Sequence, residues 1–304
     1  MENTSPKLAP HTDFGDADLS FTDLSGLDLS YCNFSEATIC GVDFSGSNLK
    51  GSIFRKCDLS NCTFESAVLD EADLSYTQLG NTDFSKASLR GTDLRNLKGD
   101  FTRDEVDVDL TLYPNCKPSP PDGGGYSFNG ADLHSANLTG ASLNRGEFND
   151  AAIDFAIFKD SELIEASFCR STLHHTDFTN ACMPHAVIAN SQGQNAIFNN
   201  ADMNHAEILN CDLTESQFRS SRLNGATFNE VALADSDFRD ARCYAYEINL
   251  SYEDICIEAT RFTSCDLQTA NFSWADLFGT GFSYDIDPSR FIGCDKIAAK
   301  WLEE

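Results

Sequence analysis

The chain has 304 residues, 41% of them hydrophobic, and a formal net charge of -27. That apolar fraction supports a sizeable core and argues against disorder. A balance this acidic repels nucleic acid and anionic membranes and favours basic partners.

Residues 1–12 carry neither the basic nor the apolar segment of a signal peptide, and they are expected to form an N-terminal cap. No run approaches the roughly 18 apolar residues of a membrane span, so no membrane contact is expected. The twelve cysteines show no CxxC pair and no zinc-like spacing. Without an export signal they read as reduced thiols in a cytoplasmic protein.

Over residues 13–96 a large apolar residue recurs at every fifth position, from Phe14, Leu19, Leu24, Leu29 and Phe34 through to Leu94. Two positions before most centres sits a small residue, such as Ala17, Thr22, Cys32 or Ala37, with Leu27 the large exception. The position just before the centre is often Asp, as at Asp18, Asp23 and Asp43. A period of five is neither 3.6 nor 2, so neither an amphipathic helix nor a simple strand explains it. It fits a chain that turns a corner every five residues and closes a square coil every twenty. The centre and the small residue then point inward, and the other three positions point out. Asp before the centre is expected to hydrogen-bond backbone at the corner, as Asp and Asn do in turns.

Residues 97–126 break the pattern with a Pro- and Gly-rich acidic stretch. It reads either as a linker or distorted coil between two stacked rods, or as a projecting partner-binding loop carrying Asp104, Glu105, Asp107, Asp109 and Tyr113. Cys116 lies in the same stretch. The period resumes over 127–250, with centres from Phe128 through Phe168 to Ile248; only Gly193 lacks a side chain. A one-residue slip near Tyr252 precedes a third block, 251–284, with centres Ile257, Phe262, Leu267, Phe272, Leu277 and Phe282. Residues 285–304 read as a cap or short helix in which Ile297, Trp301 and Leu302 cover the last coil or meet a second copy. The expected fold is an all-β, right-handed quadrilateral parallel β-helix of about twelve coils, roughly 58 Å long at about 4.8 Å per coil.

The runs GDADLSFTDLSGLDLS and NGADLHSANLTGASLN follow the A(D/N)Lxx pattern, and the chain resembles the pentapeptide-repeat family through them. The best-understood members of that family protect or inhibit type II topoisomerases by resembling B-form DNA. The resemblance therefore implies DNA gyrase or topoisomerase IV as a partner, with a homodimer formed through the C-terminal segment. The charge agrees: the net -27 amounts to about one charge per 2 Å of rod, against one per about 1.7 Å for duplex DNA. A general interaction scaffold for another basic partner is the alternative.

No phosphate-binding or triad motif is present, so no cofactor or catalytic residue is expected. Cys32, Cys57, Cys62, Cys211 and Cys265 fall on the small inward position and Cys243 on a centre, where thiols serve as core. His185 and His205 lie twenty residues apart at one phase, so they should stack on the outer surface; two ligands are too few for a metal site. A small-molecule pocket, and with it an enzyme, would need an opening in the rod. Gly193 and the stretch Tyr244–Glu258, with Tyr246 and Tyr252, are the places where one is expected.

Overall fold

A computed structural model describes residues 8–99, 126–244, 246–250, 253–257, 260–267, 269–282 and 300–301. The chain winds into a solenoid whose four walls are parallel ladders. One wall can be followed through Asp13, Asn33, Ile53, Asp73 and Asp93, across to Asn137, and on through Ile157, Asp177, Ile197, Gln217, Asp237 and Asn271. Hydrogen bonds run between coils on each wall, as from Phe34 N to Ile53 O at 2.7 Å and from Asn33 N to Thr12 O at 3.0 Å. The longer strands are β1 (Gln78–Leu79), β2 (Lys98–Gly99), β3 (Ser167–Cys169), β4 (Val187–Ala189), β5 (Glu207–Leu209), β6 (Thr227–Asn229), β7 (Tyr246–Leu250), β8 (Glu253–Ile257), β9 (Arg261–Thr263), β10 (Gly281–Phe282) and β11 (Lys300–Trp301). No helix occurs among the described residues.

The five-residue period follows from the corner. Most corners are turns in which the residue three past the centre donates back to it, as Thr22 N does to Leu19 O at 3.1 Å. The residue between them takes the left-handed region, as at Phe21 (φ 56) and Asn61 (φ 59). Turns of this kind favour Gly and Asn there. Both are frequent at this position, as at Gly26, Gly46, Asn180 and Asn200.

The centres fill the interior, with phenylalanine on two opposite walls. Phe14, Phe34 and Phe54 stack on one, and Phe44, Phe64, Phe84, Phe128, Phe148 and Phe168 on the other, with ring centroids 4.6–5.1 Å apart. Rings of opposite walls meet edge-on, as Phe44 and Phe54 do at 85°. Both arrangements suit the aromatic quadrupole. The other two walls carry mostly Leu, Ile and Met, such as Leu59, Met183, Leu69 and Ile153, all buried.

The first interruption does not divide the rod. Asp83 pairs with Ser127, and Asp93 with Asn137, where an unbroken coil would bring residues 103 and 113. Phe84 stacks on Phe128 at 5.1 Å and 4°, so the coils before and after residues 100–125 are coaxial. Leu97 and Tyr126, expected in the interruption, are buried in the core.

The frame slip marks an inserted hairpin. Residues Tyr246–Leu250 and Glu253–Ile257 form an antiparallel hairpin, with Ile248 opposite Ile255. The rod continues past it: β6 pairs directly with β9, and Ala232 bridges Asp266. Ile248 and Ile257 are therefore hairpin residues rather than centres. At the C-terminus a cap or short helix is expected, and Lys300–Trp301 are not helical. They form a strand parallel to Gly281–Phe282, because the open edge of the last coil offers unpaired backbone groups to a further segment.

Candidate interaction surface

The expected role of the Asp column holds at the corners. Oδ1 of Asp18 accepts from Ser20 N at 3.1 Å, that of Asp43 from Ser45 N at 2.8 Å, and that of Asn137 from Thr139 N at 3.1 Å. Hydrogen bonding by Ser20 holds the exposed Asp18 carboxyl below its ordinary range. Only one carboxylate is buried among the described residues, that of Asp202. Burial pushes its pKa up, and Arg222 Nη1 at 3.2 Å opposes that shift. The turn chemistry thus leaves the negative charge on the outside of the coils.

Basic residues lie among these acids as links between neighbouring coils. Arg145 reaches Glu165 at 2.8 Å, Arg170 reaches Asp150 at 2.6 Å, and Lys86 reaches Glu65 at 2.9 Å. Arg219 and Arg239 both meet Asp237; burial works against its charge, but their hydrogen bonds hold its pKa down. Exposed pairs of this kind contribute little to stability.

His185 and His205 stack on the outside as expected, with centroids 5.1 Å apart at 11°. Burial lowers the His185 pKa, against the pull of Glu165 and Glu207. The next residue up this corner is Gly225, and a Cβ there would overlap His205 Nδ1. Phe21 lies on Gly41 and Tyr31 on Gly51 in the same way. A glycine twenty residues after an outward ring was a signal open to sequence reading. Phe155 also stacks on His175, at 4.8 Å.

Gly193 opens no pocket. A Cβ there would overlap Leu173 Cδ1 and come within 2.8 Å of Leu213 Cδ2, so the leucines below and above occupy the space. A polar groove of about 620 Å³ lies elsewhere, lined by residues including Asn96, Asp160, Glu162, Asn180 and Asp202. Asn180 Nδ2 donates to Asp160 Oδ1 within it at 3.0 Å. Among the described residues, no group of three or more His, Cys, Asp or Glu is arranged to hold a metal, and no helix is long and apolar enough to cross a membrane.

Cys32, Cys57, Cys62, Cys211 and Cys243 are buried and Cys265 is half-buried, all as free thiols. Burial raises the Cys57 pKa to about 11 and that of Cys62 to about 12, which keeps both unreactive. Cys182 is disulfide-bonded, unlike the thiols expected throughout. Asp104, Glu105, Asp107, Asp109, Tyr113, Cys116, Tyr252, Ile297 and Leu302 lie outside the described residues.

The family model described as pentapeptide repeats matches in 8 copies, over residues 17–55, 47–85, 57–96, 127–145, 147–183 and 211–242. Among solved structures, the chain is similar to HetL, a pentapeptide repeat protein involved in heterocyst differentiation regulation from the cyanobacterium Nostoc sp. Strain PCC 7120. The identity is 20%, over 77% of this chain and 88% of that one, with a TM-score of 0.29. It is also similar to QnrB1, a plasmid-mediated fluoroquinolone resistance protein, at 17% identity over 72% of this chain and 87% of that one, with a TM-score of 0.31. Rfr23, from the cyanobacterium Cyanothece 51142, is 18% identical over 52% of this chain and 85% of that one, with a TM-score of 0.18. No curated protein matches the chain.

Proposed function

The chain belongs to the pentapeptide-repeat family, and on that premise we propose that it is an acidic interaction rod whose partner is a basic, DNA-binding protein surface such as that of a type II topoisomerase. The observation that carries this reading is the one-sided use of charge. The interior takes apolar centres, and the corner turns leave the carboxylates outside, with Asp202 the one buried exception among the described residues. The chain carries 48 acidic against 21 basic residues, and carboxylates such as Asp18, Asp43, Asp73, Asp93, Asp177 and Asp237 recur along a continuous stack of coils. Such a surface attracts a site built for the duplex backbone, whose charge spacing is about 1.7 Å.

Supercoiling by DNA gyrase, followed in the presence of the purified protein over a range of salt, tests the proposal. Inhibition that weakens as salt rises supports it, because exposed charges more than about 8 Å apart are screened at physiological ionic strength. No inhibition at low salt removes gyrase as the partner.

A further inference from the structure

We propose that Phe21, with Asp18, Asp23 and Asp43 beside it, is a seat for an arginine side chain of a basic partner protein. This deepens the reading of the chain as an acidic interaction rod and rests on it.

The run Asp-Leu-Ser followed by an aromatic residue ends at Phe21, at Tyr31 and at Tyr76. In each copy the leucine is a buried centre: Leu19, Leu29 or Leu74. The ring takes the left-handed corner, with φ 56, 58 and 61. Oδ1 of the Asp accepts from the Ser N at 3.1, 3.2 and 2.9 Å. Three corners of one local geometry therefore differ in what covers the ring. At Tyr76 the Arg55 guanidinium lies over the ring, 5.6 Å from its centroid. At Tyr31 the ring lies on Gly51 and stacks with His11 at 5.1 Å. The Phe21 ring lies on Gly41, and no other ring or cation among the described residues meets it. It is 79% exposed, against 48% for Tyr31 and 42% for Tyr76, which leaves a flat apolar face open.

Charge selects what covers that face. Asp18 and Asp23 flank Phe21 in its own coil, and Asp43 bridges Asp23 from the next. Asp23 and Asp43 each give Oδ1 to the following serine N–H, which leaves Oδ2 for an incoming donor. Residues 8–49 hold no lysine or arginine. Further along, lysines pair across coils, as Lys50 does with Glu71 at 3.1 Å and Lys86 with Glu65 at 2.9 Å. The cation at Phe21 must therefore come from outside. A guanidinium lies flat on a ring while its N–H groups donate to carboxylates, and Arg55 already does the first at Tyr76. An ammonium is a compact, strongly hydrated charge and gains less there. A second copy would bring another -27 chain, which like-charge repulsion opposes.

Photo-crosslinking with defined peptides tests the seat. An Arg–Gly and a Lys–Gly peptide of equal length and charge, each with one photoreactive residue, are added to the full chain at low salt. Linked residues are located by mass spectrometry, and overall binding is followed by fluorescence anisotropy. Within residues 16–45 the Arg–Gly peptide should link about fivefold more than the Lys–Gly peptide. Phe21→Leu, which keeps an apolar corner and removes the ring, should abolish that preference. Phe155→Leu, at a ring on another corner, should leave it intact. Asp23→Asn/Asp43→Asn keeps the Oδ1 acceptors and should lower linking of both peptides there, a readout that stands should Phe21→Leu disturb folding. Equal linking of the two peptides to the intact protein in this stretch, a preference that survives Phe21→Leu, or linking unchanged by the double variant overturns the seat. Self-association in sedimentation that Phe21→Leu abolishes also overturns it, since the ring would then hold a second copy. Failure of both peptides to bind anywhere counts instead against the rod reading.

Discussion

Phe168 shows what one centre does. Its ring stacks on Phe148 at 4.8 Å and meets Phe158 and Phe178 edge-on, so its removal leaves a cavity that rigid coils cannot fill. Phe168→Ala should cost about 3–5 kcal/mol in denaturant unfolding. Phe168→Asp should cost more, because it also buries a charge. Gly193 makes a sharper case. The repeat pattern alone expects a large apolar residue there and would have Gly193→Leu stabilise the rod. Leu173 and Leu213 already fill the site, so the substitution should instead lose about 1–3 kcal/mol through overpacking. Gly41 and Gly26 separate the two reasons for a corner glycine. Both have φ above +60°, but a Cβ on Gly41 would sit 2.6 Å from Phe21 Cδ1, while one on Gly26 meets nothing within 4 Å. Gly26→Ala should cost about 1 kcal/mol for the left-handed backbone alone. Gly41→Ala should cost measurably more, and adding Phe21→Ala should recover the difference.

Arg145, Glu165, His185, His205 and Gly225 succeed one another up a single corner of five coils, and they make this corner sensitive to pH. Burial favours the neutral His185 imidazole in the fold. The unfolded chain therefore takes up the proton first as pH drops below the ordinary histidine value of about 6.5, and stability falls just below that pH. Glu165 and Glu207 oppose the effect. Melting temperature should decline between about pH 7 and pH 5.5 in the native chain. His185→Asn, which keeps a residue suited to the left-handed corner, should flatten that decline. The corner chemistry was legible in the sequence, because Asp before the centre has one evident use in a turn. The hairpin was not. Ile248 and Ile257 are apolar and close to the expected spacing, so a strand of alternating residues passed for two more repeats. Its signal was the alternation Tyr246, Ile248, Leu250, a period of two inside a period of five.

At the scale of the whole molecule, the repeat made the fold legible because each coil uses the same turn and the same inward pair. Continuity across residues 100–125 was not legible, since it depends on Asp83 meeting Ser127 and Phe84 stacking on Phe128, contacts that no local pattern encodes. The charge could be counted in advance, but its placement required the corners. We propose that this outside surface stands in for duplex DNA. This is tested most directly by competition: the labelled protein is bound to DNA gyrase at low salt and an unlabelled linear duplex is titrated in. Displacement of the protein by the duplex, at concentrations matching the duplex's own affinity, is the result predicted. A complex that holds both at once would show that the rod and DNA use different surfaces, and would contradict the account.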